Sequence, residues 1–82
     1  MPPVQALPTH EVGTEYYDEC MNLQYSHIIT CDGSVFIWGS QAGAKYKNHY
    51  RLKCDGPGYD SYWYEWNGSS WVLLPSIPVP GC

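Results

Sequence analysis

The chain has 82 residues, 44% of them hydrophobic, and a formal net charge of −4. This length holds one domain with a thin core, and the negative charge argues against nucleic acid as a partner, because its phosphates would be repelled. No apolar stretch approaches the ~20 residues of a transmembrane helix, so no membrane insertion is expected.

Composition favours strands and turns. The chain contains eight Tyr, four Trp and one Phe, together with eight Gly and seven Pro. Aromatic residues are enriched in strands, and glycine and proline in turns and extended segments. We therefore predict a small, disulfide-stapled all-β domain, either an antiparallel meander or a sandwich- or barrel-like domain, with about four to six short strands.

Three segments are expected along the chain. Residues 1–14 hold three prolines and little periodicity, which predicts an extended or mobile N-terminal arm. Residues 15–74 carry the folding signals and form the predicted β domain. Residues 75–82 hold three more prolines and end in Cys82, which predicts an extended, proline-rich C-terminal arm.

The first part of the β domain gives a weak strand signal followed by a clear hairpin signal. A strand is predicted near Tyr16 and Tyr17 or over residues 21–25, with a short helical turn over residues 17–23 as another possibility. Residues 28–31 and 34–38 then flank Asp32-Gly33, a dipeptide typical of tight two-residue turns. Counting outward from that turn places Ile29 opposite Phe36 and Ile28 opposite Ile37.

Residues 45–54 alternate between basic and largely aromatic or apolar positions, which predicts a strand with one wet face. Its four basic residues are the only ones in the chain: Lys45, Lys47, Arg51 and Lys53. Such a row protects the edge of a sheet or forms a solvated face. Alternatively, it contacts an acidic partner.

A second hairpin is predicted from residues 62–66 and 69–74, which flank Asn67-Gly68. The count outward places Tyr64 opposite Trp71, Trp63 opposite Val72, and Tyr62 opposite Leu73. Both faces of this hairpin therefore carry aromatic rings, which either pack in the core or contact a protein partner or a glycan. The candidate contact residues are Tyr62, Trp63, Tyr64, Trp66 and Trp71.

The four cysteines, Cys20, Cys31, Cys54 and Cys82, favour a disulfide framework. No two of them have the short spacing of a structural zinc site, so no metal is expected. We favour Cys31 with Cys54, which would tie two strand ends, and Cys20 with Cys82, which would fasten the C-terminal arm. The other two pairings stay open.

No catalytic residues or cofactor are predicted. His10, His27 and His49 have no sequence partner that suggests a nucleophile and its base, and bridged cysteines leave no reactive thiol. We expect a non-enzymatic structural or interaction protein of a virion or other extracellular assembly, whose extended ends contact neighbouring subunits, including copies of itself. The alternatives are a carbohydrate-binding adhesion module and, less favoured, a secreted effector or inhibitor of a protein target.

Disulfides indicate an oxidising final environment. The chain opens Met-Pro-Pro-Val, without a basic segment before an apolar run, so no signal peptide is expected in it. Either a leader has been removed, or the protein is made in a cytoplasm and oxidised after release, as in a virus particle freed by lysis.

Overall fold

The computed structural model describes residues 7–82 and contains one antiparallel sheet of six strands. The strands are β1 (His10–Tyr17), β2 (Leu23–Ile29), β3 (Val35–Gly39), β4 (Tyr46–Lys53), β5 (Tyr59–Trp66) and β6 (Trp71–Leu74). This confirms the predicted all-β class and the number of strands. The sheet is a single open layer and not a sandwich or barrel.

The order across the sheet is β3-β2-β1-β4-β5-β6. Strands β1 to β3 form one meander and β4 to β6 form another, and the two meet where β1 pairs with β4. The basic strand β4 is therefore central in the sheet, so the edge-protection interpretation of its lysines is wrong. The edges are β3 and β6.

The sheet begins earlier in the chain than the sequence predicts. Strand β1 starts at His10, inside the segment assigned to the N-terminal arm, and pairs on both sides with β2 and β4. Val12, Thr14 and Tyr16 alternate with Glu11, Gly13 and Glu15, which is a short and weak alternation of β-branched or aromatic with small or charged residues. Residues 1–6 of that segment lie outside the described residues.

No helix occurs among residues 7–82, so the possible helical turn at residues 17–23 is wrong. A tight turn joins β1 to β2 there. The Asp18 carboxylate accepts hydrogen bonds from the backbone N–H groups of Cys20 and Asn22, at 2.9 and 2.8 Å. These bonds favour a turn over a helix, because they occupy backbone N–H groups that would otherwise donate to the carbonyl groups of a helix. They also hold the pKa of Asp18 below its usual value.

The first hairpin has a three-residue loop, and its predicted register is wrong by one residue. Thr30 N–H donates to Ser34 O at 2.9 Å, and Gly33 adopts a φ of 85°. Ile28 consequently lies opposite Phe36. The Asp32 carboxylate explains the wider loop, because it accepts bonds from the Thr30 hydroxyl and the Ser34 N–H, which lower its pKa to about 2.

The second hairpin is also displaced from its predicted register. Asn67 N–H donates to Ser70 O at 3.1 Å, and Gly68 takes a φ of 100°, so the turn centres on Gly68-Ser69. Asn67 Oδ1 accepts the N–H groups of Ser69 and Ser70, each at 2.9 Å, which stabilises this arrangement. Trp66 therefore lies opposite Trp71, and the pairs predicted for Tyr62, Trp63 and Tyr64 are wrong.

Both favoured disulfide pairings are confirmed. Cys31 bonds to Cys54 and joins the β2–β3 loop to the end of β4, with a Cα separation of 5.8 Å. Cys20 bonds to Cys82 and fastens the C-terminal segment, with a Cα separation of 5.2 Å. The Gly81 N–H donates to Glu19 O at 2.8 Å beside this second bond.

Very little of this sheet is buried. Tyr46 is the one large hydrophobic residue of the described chain that is buried, and Asn48 beside it donates to Ser61 Oγ and Tyr62 O. The molecule measures 54 × 26 × 21 Å, with a radius of gyration of 14.9 Å. A compact chain of this length would have about 12 Å. The fold is therefore elongated, and it leaves much apolar surface exposed.

Candidate functional site: the aromatic and basic face

One face of the sheet collects most of the predicted contact residues. Because cross-strand partners share a face, the pairings of Lys47 with Tyr16 and Tyr64, and of Trp66 with Trp71, place these side chains together. The alternation along β4 and β5 adds Arg51, Lys53 and Tyr62. We call this side of the sheet the basic face, and the side that carries Trp63 the opposite face.

Lys47 lies in a cage of aromatic rings on the basic face. Its Nζ is 4.8 Å from the ring centroid of Trp71, 4.9 Å from that of Tyr64 and 5.9 Å from that of Tyr16. The negative ring faces stabilise the ammonium group, while burial lowers the pKa of Lys47. These contacts make Lys47 part of the packing of this face and leave it poorly placed to receive an acidic partner.

The sheet curls around this cage. Tyr16 and Trp71 belong to β1 and β6, which are separated by β4 and β5, yet their ring centroids are 5.5 Å apart in an edge-to-face arrangement. Tyr25 extends the cluster by contacting Tyr16 at the same centroid distance. The basic face is therefore concave at this end of the sheet.

The other basic residues have different surroundings. Lys45 Nζ lies 3.7 Å from Glu65 Oε1 and donates to Trp66 O at 3.3 Å. Arg51 and Lys53 are exposed at the other end of β4. Of the four basic residues predicted to contact an acidic partner, Lys45 and Lys47 thus contact other groups of this chain, whereas Arg51 and Lys53 are exposed.

A groove of about 590 Å³ lies next to the cage. Trp66, Trp71, Tyr16 and Lys45 line it, together with residues of the 41–44 loop and Glu19. The Trp66 and Trp71 ring centroids are 5.5 Å apart and their planes are inclined by 56°. One exposed ring, Trp66, and the half-buried rings beside it, together with a few polar groups, suit a ligand with a flat apolar face, such as a sugar ring or a proline.

Trp63 differs from the other candidate rings because it lies on the opposite face. It packs against Tyr17 with a centroid distance of 5.3 Å. The C-terminal segment crosses this face: its Ile77, together with Leu74 at the end of β6, helps to line a groove of about 510 Å³ with Trp63. Trp63 is therefore half-buried, between Tyr17 on one side and this groove on the other.

The opposite face also holds a tyrosine that packs directly over a glycine. A Cβ built on the buried Gly13 would come within 2.1 Å of Tyr50 Cε1, so any other residue at this position would displace the ring. The Tyr50 hydroxyl donates to Glu11 Oε2 at 3.0 Å. Burial, this hydrogen bond and the nearby negative charges raise the pKa of Tyr50 to about 12.

Tyr50→Phe is expected to lower the free energy of unfolding by about 1 kcal/mol at neutral pH, because the hydroxyl–carboxylate bond is lost. A raised pKa in the folded state stabilises the fold below the ordinary tyrosine pKa near 10, and this contribution is lost as the pH rises toward 12. The difference between wild type and variant should therefore shrink above pH 10 in urea titrations. A constant difference up to pH 12 would contradict this.

Two histidines, His10 and His49, make polar contacts that the sequence did not indicate. His49 Nδ1 lies 3.0 Å from the Thr14 hydroxyl across β1 and β4. Among residues 7–82, no three His, Cys, Asp or Glu side chains are grouped so that they could hold a metal ion. A hydroxyl beside an imidazole is one part of a nucleophile–base arrangement, but no side chain among residues 7–82 hydrogen-bonds the other ring nitrogen of His49 to orient it.

Comparison with protein-family models, with curated proteins and with solved structures finds no match for this chain. In the described part of the chain there is also no helix long and apolar enough to cross a membrane.

Proposed function

We propose that this chain is a non-catalytic structural subunit of a virion or another extracellular assembly, and that it contacts neighbouring subunits, including copies of itself. The supporting observation is the exposed apolar surface. Val35, Phe36, Ile37 and Trp38 in the edge strand β3 are 53%, 60%, 63% and 60% exposed. Monomeric proteins rarely leave large contiguous apolar patches in water.

A second observation in favour of the proposal is the C-terminal segment, which is one of the two ends expected to contact neighbouring subunits. Ile77 and Val79 are 67% and 79% exposed, although the segment is fastened at Cys82 to Cys20. A segment that is already ordered loses less conformational entropy when it binds. The structure therefore presents two apolar side chains on a fixed support, as a subunit contact requires.

The disulfides support the proposed location. Two bridges within the chain are compatible with an oxidising environment outside the cytosol. In a fold with so little buried surface, they also replace stability that a larger core would supply.

Carbohydrate binding is the second candidate, and the groove beside Trp66 and Trp71 is the observation that favours it. Trp66 is 36% exposed, and the groove combines its ring with Lys45 and Glu19 as polar neighbours. In this alternative the chain acts as a monomeric adhesion module. Trp66→Ala would then remove glycan binding without unfolding the domain.

Sedimentation over a wide range of protein concentration tests the proposal. We expect species larger than the monomer, and we expect Ile77→Ser with Val79→Ser to shift the distribution toward monomer by reducing apolar burial. Leu23→Ser, which alters a 41% exposed side chain elsewhere, is the matched control and should have little effect. A wild type that stays monomeric at every concentration, and whose glycan binding disappears with Trp66→Ala, would favour the adhesion module.

A further inference from the structure

The backbone hydrogen bonds of β3 show which of its residues face out of the sheet. Thr30 N–H donates to Ser34 O at 2.9 Å, and Ser40 N–H donates to Gln24 O at 3.0 Å, so both ends of β3 are tied to β2. Alternate residues of an antiparallel strand direct their N–H and C=O groups to the same neighbour. Phe36 and Trp38 therefore bond to β2, while Val35 and Ile37 direct theirs away from the sheet.

No strand among residues 7–82 pairs with this outer edge of β3. Natural sheet edges are usually protected by lysine, proline or a bulge. Strand β3 reads Val-Phe-Ile-Trp-Gly and has neither a charge nor a proline. Its side chains are exposed on both faces, so the edge offers both backbone groups and apolar surface to another strand.

We propose that β3 pairs antiparallel with β3 of a second copy, about a two-fold axis at Ile37. This inference rests on the proposed assembly function and names its partner and contact. Ile37 lies opposite the second copy's Ile37, and each N–H donates to the other C=O. Phe36 lies opposite the second copy's Trp38 in a close, non-hydrogen-bonded pair. The two six-stranded sheets become one continuous sheet.

Charge favours a second copy in this register. The pairing places Asp32 opposite Ala42 of the other chain and Ser34 opposite its Ser40, so no two carboxylates face each other across the interface. Every pair at the centre of the contact is uncharged. Two chains that each carry a net charge of −4 thus meet where neither has a charge.

The available area is sufficient for a modest dimer. Four side chains of β3 are between 53% and 63% exposed. Taking about 100 Å² of exposed surface for each, the two copies would bury at most roughly 800 Å² from these side chains, and the backbone edge brings this upper limit near the ~1,000 Å² of a small specific interface. The contact is therefore expected to be reversible and dependent on concentration.

Amide hydrogen exchange tests the register directly. The Phe36 and Trp38 amides should be protected at every concentration, because they bond to β2 within the chain. The Val35 and Ile37 amides should exchange rapidly in dilute protein and become protected in proportion to the dimer fraction. If these two amides are already protected in the monomer, the edge is covered by the chain itself and the proposal is overturned.

Charge variants at Ile37 test self-pairing. Because Ile37 faces its own copy, Ile37→Lys or Ile37→Glu alone should weaken dimerisation at least about tenfold, through like-charge opposition and lost apolar burial. An equimolar mixture of the two variants should form a heterodimer, seen by native mass spectrometry. Leu23→Lys is the matched control, because Leu23 is an exposed apolar residue outside β3, and the mixture of Leu23→Lys with Ile37→Glu should not recover the dimer.

The outcomes separate this inference from the assembly function. A wild type that is monomeric throughout contradicts both. A wild type that assembles while the Val35 and Ile37 amides exchange rapidly, or whose Ile37 variants assemble normally, contradicts β3 pairing and leaves the assembly function standing. Heterodimer recovery together with concentration-dependent protection supports the pairing.

Discussion

Gly39→Ala is expected to lower the free energy of unfolding by about 3 kcal/mol or more. Gly39 has a φ of 84°, a conformation that costs other residues of order 1 kcal/mol or more. A Cβ at this position would also lie 1.8 Å from Gln24 O and 2.8 Å from Gln24 C. These are backbone atoms of the neighbouring strand, so they cannot rotate away, and the β2–β3 pairing would have to shift.

Gly43→Ala is the matched control for this change. Gly43 has a similar φ of 76°, but nothing lies within 4 Å of the position its Cβ would take. Its cost should therefore be limited to backbone strain, about 1 kcal/mol. Urea unfolding of both variants measures the difference, and equal destabilisation would show that the close approach at Gly39 is relieved without cost.

Removing the Cys20–Cys82 bridge is expected to have the largest effect on stability. The two residues are 62 positions apart, and a bridge closing a loop of that length contributes about 4 kcal/mol in the chain-entropy model. The double variant Cys20→Ser with Cys82→Ser should release the C-terminal segment from the sheet. The Ile77 and Val79 amides and those around them should then exchange faster, and the unfolding midpoint in urea should fall.

The second bridge provides the comparison. Cys31 and Cys54 are 23 positions apart, so Cys31→Ser with Cys54→Ser should cost slightly less, about 3 kcal/mol. This variant should leave the exchange of the C-terminal segment unchanged below the unfolding transition. If the Cys20–Cys82 variant unfolded at the wild-type urea concentration, the C-terminal segment would be shown to dock without its bridge.

Sequence reasoning succeeded where the determinant was local. Alternation along residues 45–54 placed the basic side chains on one face, and turns occur near Asp32-Gly33 and Asn67-Gly68 as expected, with positive φ angles at Gly33 and Gly68. It failed on register, because Asp32 and Asn67 use their side chains to accept backbone hydrogen bonds and so widen or displace the turns. Dipeptide rules for turns do not include those bonds.

The candidate site could be predicted only in part. The sequence indicated Trp66, Trp71 and Lys45, which the structure brings to one groove. It missed Tyr16, because the contact of Tyr16 with Trp71 depends on the pairing of β1 with β4 and on the curl of the sheet. Neither feature has a local signal, and the weak pattern of β1 hid the strand that creates both.

The junction between β1 and β4 has a consequence for how the molecule folds. Each meander consists of hairpins that are continuous in sequence, and hairpins form within microseconds. The junction joins distant residues, from Tyr17 opposite Tyr46 to His10 opposite Lys53, so its closure carries most of the chain-entropy cost and comes later. The aromatic cage around Lys47 takes side chains from both meanders, and it therefore assembles only when the two halves have joined.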